Sequence, residues 1–219
     1  MMIGIKKLFD LLDKLLDYVY KKRCYFCHSS KECVKMCSKC YNELIFAPFA
    51  INRELNGIKV FSAGCYEKNL QKMIRGIKYH GQKELGFYMA KFLWKYFSGL
   101  NINRDYQVVP VPLHITRQKQ RGYNHMEIVA TEFCNLSGFS PNFDLIKRIK
   151  KTKPQYKLSR IEKIKNLEDA FSVDSSKDMN KPVLIIDDIC TSGATFSSMI
   201  NELRKNGIND IICLSVSSP

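Results

Sequence analysis

Nothing in this 219-residue chain approaches the roughly 20 consecutive apolar residues that a membrane-spanning helix needs, so no transmembrane segment is expected. The first residues also lack the long apolar core and small-residue cleavage site of an export signal, and a cytoplasmic location is expected. There is no internal repeat and no low-complexity tract, which argues against a solenoid or a disordered array. Acid is scarce: 21 Asp and Glu face 35 Lys and Arg, for a net charge of +14. Such an imbalance implies an anionic partner, whether nucleic acid, a phosphorylated metabolite or an acidic membrane surface. Without an oxidising compartment, the nine cysteines are poor candidates for a disulfide scaffold, and metal binding better accounts for those that cluster. What remains is ordinary. An apolar fraction of 45% suits a soluble globular protein, and the length allows one sizeable core with a small satellite.

Three segments divide the chain. Residues 1–23 carry Ile5, Leu8, Phe9, Leu12, Leu15, Leu16 and Val19 at helical spacing, which predicts an amphipathic helix packing on its own domain or a partner. A membrane-surface helix is the alternative, weakened by a polar face of mixed charge. Residues 24–50 hold the cysteine cluster, and residues 51–219 alternate predicted strands and helices. Strands are expected at "GIKVFSAGCY", "YQVVPVPL", "PVLIID" and "DIICLSV". Helical stripes run through Leu70, Met73, Ile74 and Ile77, through Leu85, Met89, Phe92, Leu93 and Tyr96, through Met126, Val129, Ala130 and Phe133, and through Phe196, Met199, Ile200 and Leu203. Gly207 stands where a glycine closes a helix. This alternation predicts an α/β fold with a parallel sheet. The polar, basic stretch "HITRQKQRGYN" reads as a mobile loop. Residues 147–165 are strongly basic with Glu162 their one acid, and show no clean periodicity.

The most informative run is "VLIIDDICTSGAT", Val183 to Thr195. Its apolar start reads as a strand buried on both faces. Asp187 and Asp188 then fall at the strand's carboxyl end, where ligands of open α/β sheets bind. Thr191, Ser192, Gly193, Ala194 and Thr195 lead into a helix, whose amino terminus favours an anion. Gly193 permits close backbone approach, and the hydroxyls add donors. The loop suits a phosphate ester and the acids suit sugar hydroxyls. Other readings stay open: the acids could hold Mg²⁺ or accept a phosphoryl group, and Thr195 could merely cap the helix. A Walker P-loop does not fit, because no lysine follows the glycine.

Two C-x-x-C knuckles, Cys24/Cys27 and Cys37/Cys40, are separated by nine residues. This spacing fits a Cys₄ tetrahedral zinc ribbon with a structural role, stabilising a segment too short for its own core. His28 and Cys33 lie between the knuckles, and either could replace a ligand. Cys65, Cys134 and Cys213 fall on apolar faces and are expected in the core, while Cys190 lies incidentally in the phosphate loop.

The thirteen-residue run closely resembles the phosphoribosyl pyrophosphate signature of type I phosphoribosyltransferases, with Ser192 where a second threonine is common. "VPVP" (Val109 to Pro112) stands where that family has its pyrophosphate-contacting loop. "IKYHG" (Ile77 to Gly81), "RGYN" (Arg121 to Asn124), Arg148, Thr152, Gln155, Leu158, Ser159, Arg160, Asn166 and "AF" (Ala170, Phe171) resemble the ComF subfamily, the competence-associated ComFC proteins. The resemblance implies that Asp187 and Asp188 contact ribose hydroxyls and that the loop cradles the 5′-phosphate. Lys78, Arg117, Arg121 and Arg148 are then expected to contact pyrophosphate or DNA, with Lys119 and Lys151 adding charge. It also implies structural Zn²⁺, Mg²⁺ accompanying phosphoribosyl pyrophosphate, and a role with single-stranded DNA in natural transformation. A further reading docks the protein to the DNA-uptake machinery, peripheral to the inner membrane. Tyr79, Tyr123 and Tyr156 near basic residues suit base stacking. The alternative is an active phosphoribosyltransferase on an unknown acceptor, since no hood for an acceptor is visible.

Overall fold

The computed structural model describes residues 22–32, 34–47, 53–150, 167 and 169–219. The chain forms two compact units, Met1–Leu44 and Ile45–Pro219. The predicted helix over residues 1–23 lies outside the described residues apart from its last two positions, and Cys33 lies outside them as well. So do Lys151, Thr152, Gln155, Tyr156, Leu158, Ser159, Arg160 and Asn166.

The first unit is described over residues 22–32 and 34–44. Its described part holds one helix, α1 (Ser38–Asn42), begun by Cys37 and ended at Glu43. A turn over residues 25–27 closes with the His28 N–H donating to the Cys24 carbonyl.

In the second unit, alternating apolar strands build a six-stranded sheet. Its members are β1 (Arg53–Leu55), β2 (Ile58–Cys65), β3 (Gln107–Pro110), β4 (Ser140–Pro141), β7 (Val183–Ile189) and β8 (Ile211–Ser218), in the order β1-β2-β8-β7-β3-β4. Only the β1–β2 pair is antiparallel. Asn56 and Gly57 join those two strands, both at positive φ (53° and 73°), which is the two-residue turn whose twist suits a hairpin. The central strands β7 and β8 are buried on both faces, as their apolar runs require.

Helices α2 (Lys68–Tyr79), α3 (Leu85–Ser98) and α5 (His125–Ser137) present the predicted stripes to the core, with Met73, Ile74, Ile77, Met89, Leu93, Val129 and Phe133 fully buried. Each such side chain contributes about 1.5–3 kcal/mol over exposure. Helix α6 (Ala194–Lys205) buries Phe196, Met199, Ile200 and Leu203 in a core that includes Val60, Val183, Ile185 and Cys213. Gly207 (φ 87°) closes this helix as expected. A separate antiparallel ribbon, β5 (Ile146–Arg148) with β6 (Phe171–Val173), adds Ile146 and Phe171 to the same core.

Two expectations fail. The stretch read as a mobile loop contains a helix, α4 (Ile115–Arg121). The His114 side chain accepts from the Thr116 N–H at one end, and Gly122 adopts φ 80° at the other. No residue of α4 is buried, so it carries no apolar stripe and is defined by its caps alone. Cys134 and Cys213 are buried as expected, whereas Cys65 at the end of β2 is only half-buried.

Candidate functional site

Parallel strands end together, so the carboxyl edge of the sheet gathers residues remote in sequence. Asp187 and Asp188 lie directly before Ile189 at the carboxyl end of β7, with Asp187 in register with Ser215 of β8. Side chains alternate along a strand. Asp187 therefore shares a face with Val183 and Ile185, the side covered by α6. Asp188 points to the opposite face and meets α2 and α5.

On the Asp188 side, Lys78 Nζ lies 2.8 Å from Oδ2. Nε2 of His125 bonds the same oxygen. The two side chains of the ion pair are 17% and 8% exposed, so water screens them little. Burial raises the carboxyl pKa, but the Lys78 ammonium and the His125 bond outweigh it and hold Asp188 well below the usual carboxylate range. Likewise burial would discharge Lys78, yet the Asp188 charge keeps its pKa raised. Burial lowers the pKa of His125 despite Asp188. Arg121 Nη1 lies 2.6 Å from His125 Nδ1, extending the chain to the end of α4.

On the Asp187 side, burial and the neighbouring Asp188 charge push the carboxyl up to about 8. Its Oδ1 accepts from the Asp188 N–H at 2.8 Å. Arg148, on β5, is close enough to interact electrostatically with Asp187 and with Arg117 of α4. Burial, followed by the Arg117 charge, pulls its pKa down to about 10.

Asp187 and residues 189–196 line a shallow cleft. Gly193 stands at φ 75° as the residue before α6, and the Ser192 hydroxyl accepts from the Ala194 N–H at 3.4 Å, so the amino terminus of α6 lies at the cleft. A Cβ on Gly193 would stand 2.5 Å from Leu55 Cδ1. The loop thus rests on β1, where Arg53 Nη1 also donates to the Thr191 carbonyl at 2.6 Å. Cys190 is buried here, and that burial pushes its thiol up to about 11.

The structure brings Asp187 together with residues 191–195, with Arg148 near Asp187 and Arg117 near Arg148. It brings Lys78 and Arg121 together through Asp188 and His125. Sequence reading missed His125, whose link to Asp188 spans 63 positions.

In the first unit, the sulfurs of Cys24, Cys27, Cys37 and Cys40 all lie within 4.8 Å of one another, with Cys27 and Cys37 3.6 Å apart. Four thiolates around one ion at a 2.3 Å bond length stand about 3.8 Å apart, so the cluster is of the size a metal ion requires. The Cys37 N–H donates to Cys24 Sγ at 3.4 Å, the kind of support a ligating sulfur receives. Burial raises Cys24, but backbone N–H groups outweigh it and bring the thiol to about 6. Burial and the neighbouring thiols push Cys40 up. Exposed His28 is not part of this group. Among the described residues, Asp187 and Asp188 form no comparable cluster for Mg²⁺.

No family model matches the chain. The Haemophilus influenzae protein named Competence protein F is 26% identical over 86% of this chain and 93% of its own length. The chain's homologues are competence and DNA-utilization proteins. Competence protein ComFC of Streptococcus pneumoniae is 28% identical over 69% of this chain and 64% of its own. DNA utilization protein YhgH of Salmonella typhimurium is 24% identical over 68% and 67%. A hypoxanthine phosphoribosyltransferase from Staphylococcus aureus aligns over 61% of this chain and 62% of its own at 17% identity, with a TM-score of 0.38, a likeness too slight to carry weight. No helix among the described residues is long and apolar enough to cross a membrane.

Proposed function

We propose that the chain binds phosphoribosyl pyrophosphate, or a related ribose phosphate, at the carboxyl edge of its sheet, and that it handles single-stranded DNA during natural transformation. The observation that carries this reading is the loop from Asp187 to Thr195. A carboxylate, a left-handed glycine and a helix amino terminus there line one cleft. The N–H groups and hydroxyls suit a phosphate, and Asp187 and Asp188 suit the ribose hydroxyls. Arg148 stands close to Asp187 and to Arg117, and the two guanidinium groups suit a diphosphate. Magnesium would arrive on that diphosphate, since such ions are usually shared between one or two carboxylates and substrate phosphates. The four thiolates of the first unit would hold zinc, which would stabilise that segment and take no part in chemistry.

The relatives' names supply the biological setting: competence in one case and DNA utilization in the other. A specific surface favours contact with single strands. Tyr79 is 66% exposed, and the Arg121 guanidinium lies 5.8 Å from its ring centre. Lys83 Nζ stands 4.7 Å from the ring centre of Tyr123. The exposed Tyr79 ring and the half-buried Tyr123 ring, each beside a cation, suit sequence-tolerant stacking with backbone neutralisation. The protein would act in the cytoplasm, with residues 1–23 as a dock to the uptake machinery at the inner membrane. Turnover on an unknown acceptor is the second reading.

Calorimetric titration of the zinc-loaded protein with phosphoribosyl pyrophosphate and Mg²⁺, repeated with single-stranded DNA present, tests this. Saturable binding displaced by DNA is the expected result. Release of pyrophosphate on addition of an acceptor would make the protein an enzyme, and no binding of the sugar phosphate would overturn the reading.

A further inference from the structure

Asp188 is held more firmly than a residue that only awaits a ligand. Its partners Lys78 and His125 both contact Oδ2, and Oδ1 has no partner among the described residues. The identity of each donor follows from chemistry. A guanidinium carries donors only, so Arg121 Nη1 must donate to His125 Nδ1. Nδ1 is then an acceptor, the proton sits on Nε2, and Nε2–H donates to Asp188. The imidazole is neutral and of one tautomer, 3% exposed at the start of α5. The Asn124 side chain fixes that helix start by accepting from the Met126 N–H at 3.0 Å. Lys78 supplies charge without much direction, being a point charge on a flexible stem. A planar ring clamped at both nitrogens supplies direction.

We infer that His125, with its tautomer set by Arg121, is the positioning residue that turns Asp188 so that Oδ1 faces a sugar hydroxyl. This rests on the proposed ribose-phosphate reading of the site. His125 touches no ligand in this scheme and acts through Asp188. The consequence is selective: it concerns the sugar, and the phosphate loop on the other face of β7 does not depend on it.

The test compares phosphoribosyl pyrophosphate with inorganic phosphate as titrants of the full chain. His125→Phe keeps a ring of similar volume and removes both nitrogens. It should weaken phosphoribosyl pyrophosphate about 10- to 100-fold, the worth of a hydrogen bond to a charged group, and leave phosphate affinity unchanged. His125→Gln retains a donor at a similar reach and should restore most of the loss. Equal weakening of both ligands, or no rescue by glutamine, would overturn the assignment. A second measurement is independent of any ligand and of the folding of variants. Nitrogen NMR of the imidazole in the free wild-type protein should report Nε2 protonated and Nδ1 bare at neutral pH. A doubly protonated ring or the opposite tautomer would overturn the inference. Absence of sugar-phosphate binding with the expected tautomer would overturn the inference too, but by failure of the ribose-phosphate reading rather than of the Arg121–His125–Asp188 network.

Discussion

Replacing Lys78 by Met should destabilise the protein far more than a surface lysine would. The substitution preserves the apolar stem, removes the ammonium 2.8 Å from Asp188 Oδ2, and leaves a carboxylate whose side chain is 8% exposed with only His125 for company. Breaking one partner of a buried pair costs about 3–5 kcal/mol, because the remaining charge is uncompensated. The surviving His125 bond argues for the lower end. About 3 kcal/mol is a substantial part of the roughly 5–15 kcal/mol that holds a domain together. At about 2–4 °C per kcal/mol for a domain of this size, the midpoint should fall by about 6–12 °C. Thermal unfolding of wild type, Lys78→Met, Asp188→Asn and the double variant at neutral pH closes the cycle. The double variant should lose less than the sum of the singles, by about 1–3 kcal/mol. Acid gives a second axis. Asp188 has a folded pKa below the unfolded value of 3.8, so its contribution is present above that value and lost as pH falls below it. The gap between wild type and Lys78→Met should therefore close in acid. Strict additivity, or a Lys78→Met cost under about 0.5 kcal/mol as at ordinary surface sites, would refute the account of a buried, mutually dependent pair.

Three further outcomes are expected. Gly207→Ala meets open space at φ 87° and should cost about 1 kcal/mol for the left-handed backbone alone, whereas Gly193→Ala at φ 75° also drives a methyl into Leu55; urea unfolding should show the larger loss at Gly193, partly relieved by Leu55→Ala, and equal costs at both glycines would contradict the close approach. Because Asp187 titrates near 8, its carboxylate form falls tenfold per pH unit below that value; phosphoribosyl pyrophosphate affinity should weaken from pH 8 to pH 6, and Asp187→Asn should bind weakly at every pH, with a flat wild-type profile counting against Asp187 as a ligand group. Chelation of the metal should abolish amide protection over residues 22–44 while residues 53–150 keep theirs in hydrogen-exchange mass spectrometry, and unchanged protection of the first segment would mean that the four thiols do not depend on an ion.

What the sequence could reveal follows from the range of each interaction. The stripe Leu70, Met73, Ile74 and Ile77 and the run Val183–Ile186 are local records of burial, and both elements stand as read. The cysteine knuckles are equally local, since a metal site imposes spacing on its ligands. Helix α4 went unread because burial did not shape it; its signals were a capping histidine and Gly122. The hairpin of β1 and β2 carries a local signal, the Asn56-Gly57 pair. Strands as short as β4, β5 and β6 leave too few residues for any period to register. The two aspartates teach more. As neighbours on a predicted strand they must point to opposite faces, and that alone implies unequal roles. Their partners were beyond reach, however: Arg121 and His125 are four positions apart, but Gly122 breaks the helix between them, so their contact owes nothing to helical spacing. His125 meets Asp188 only because β7 ends where α5 begins, a fact of sheet order and not of sequence. Residue types in a motif can therefore announce a ligand's chemistry, while the side chains that aim the motif are selected by topology and appear only when the strands are assembled.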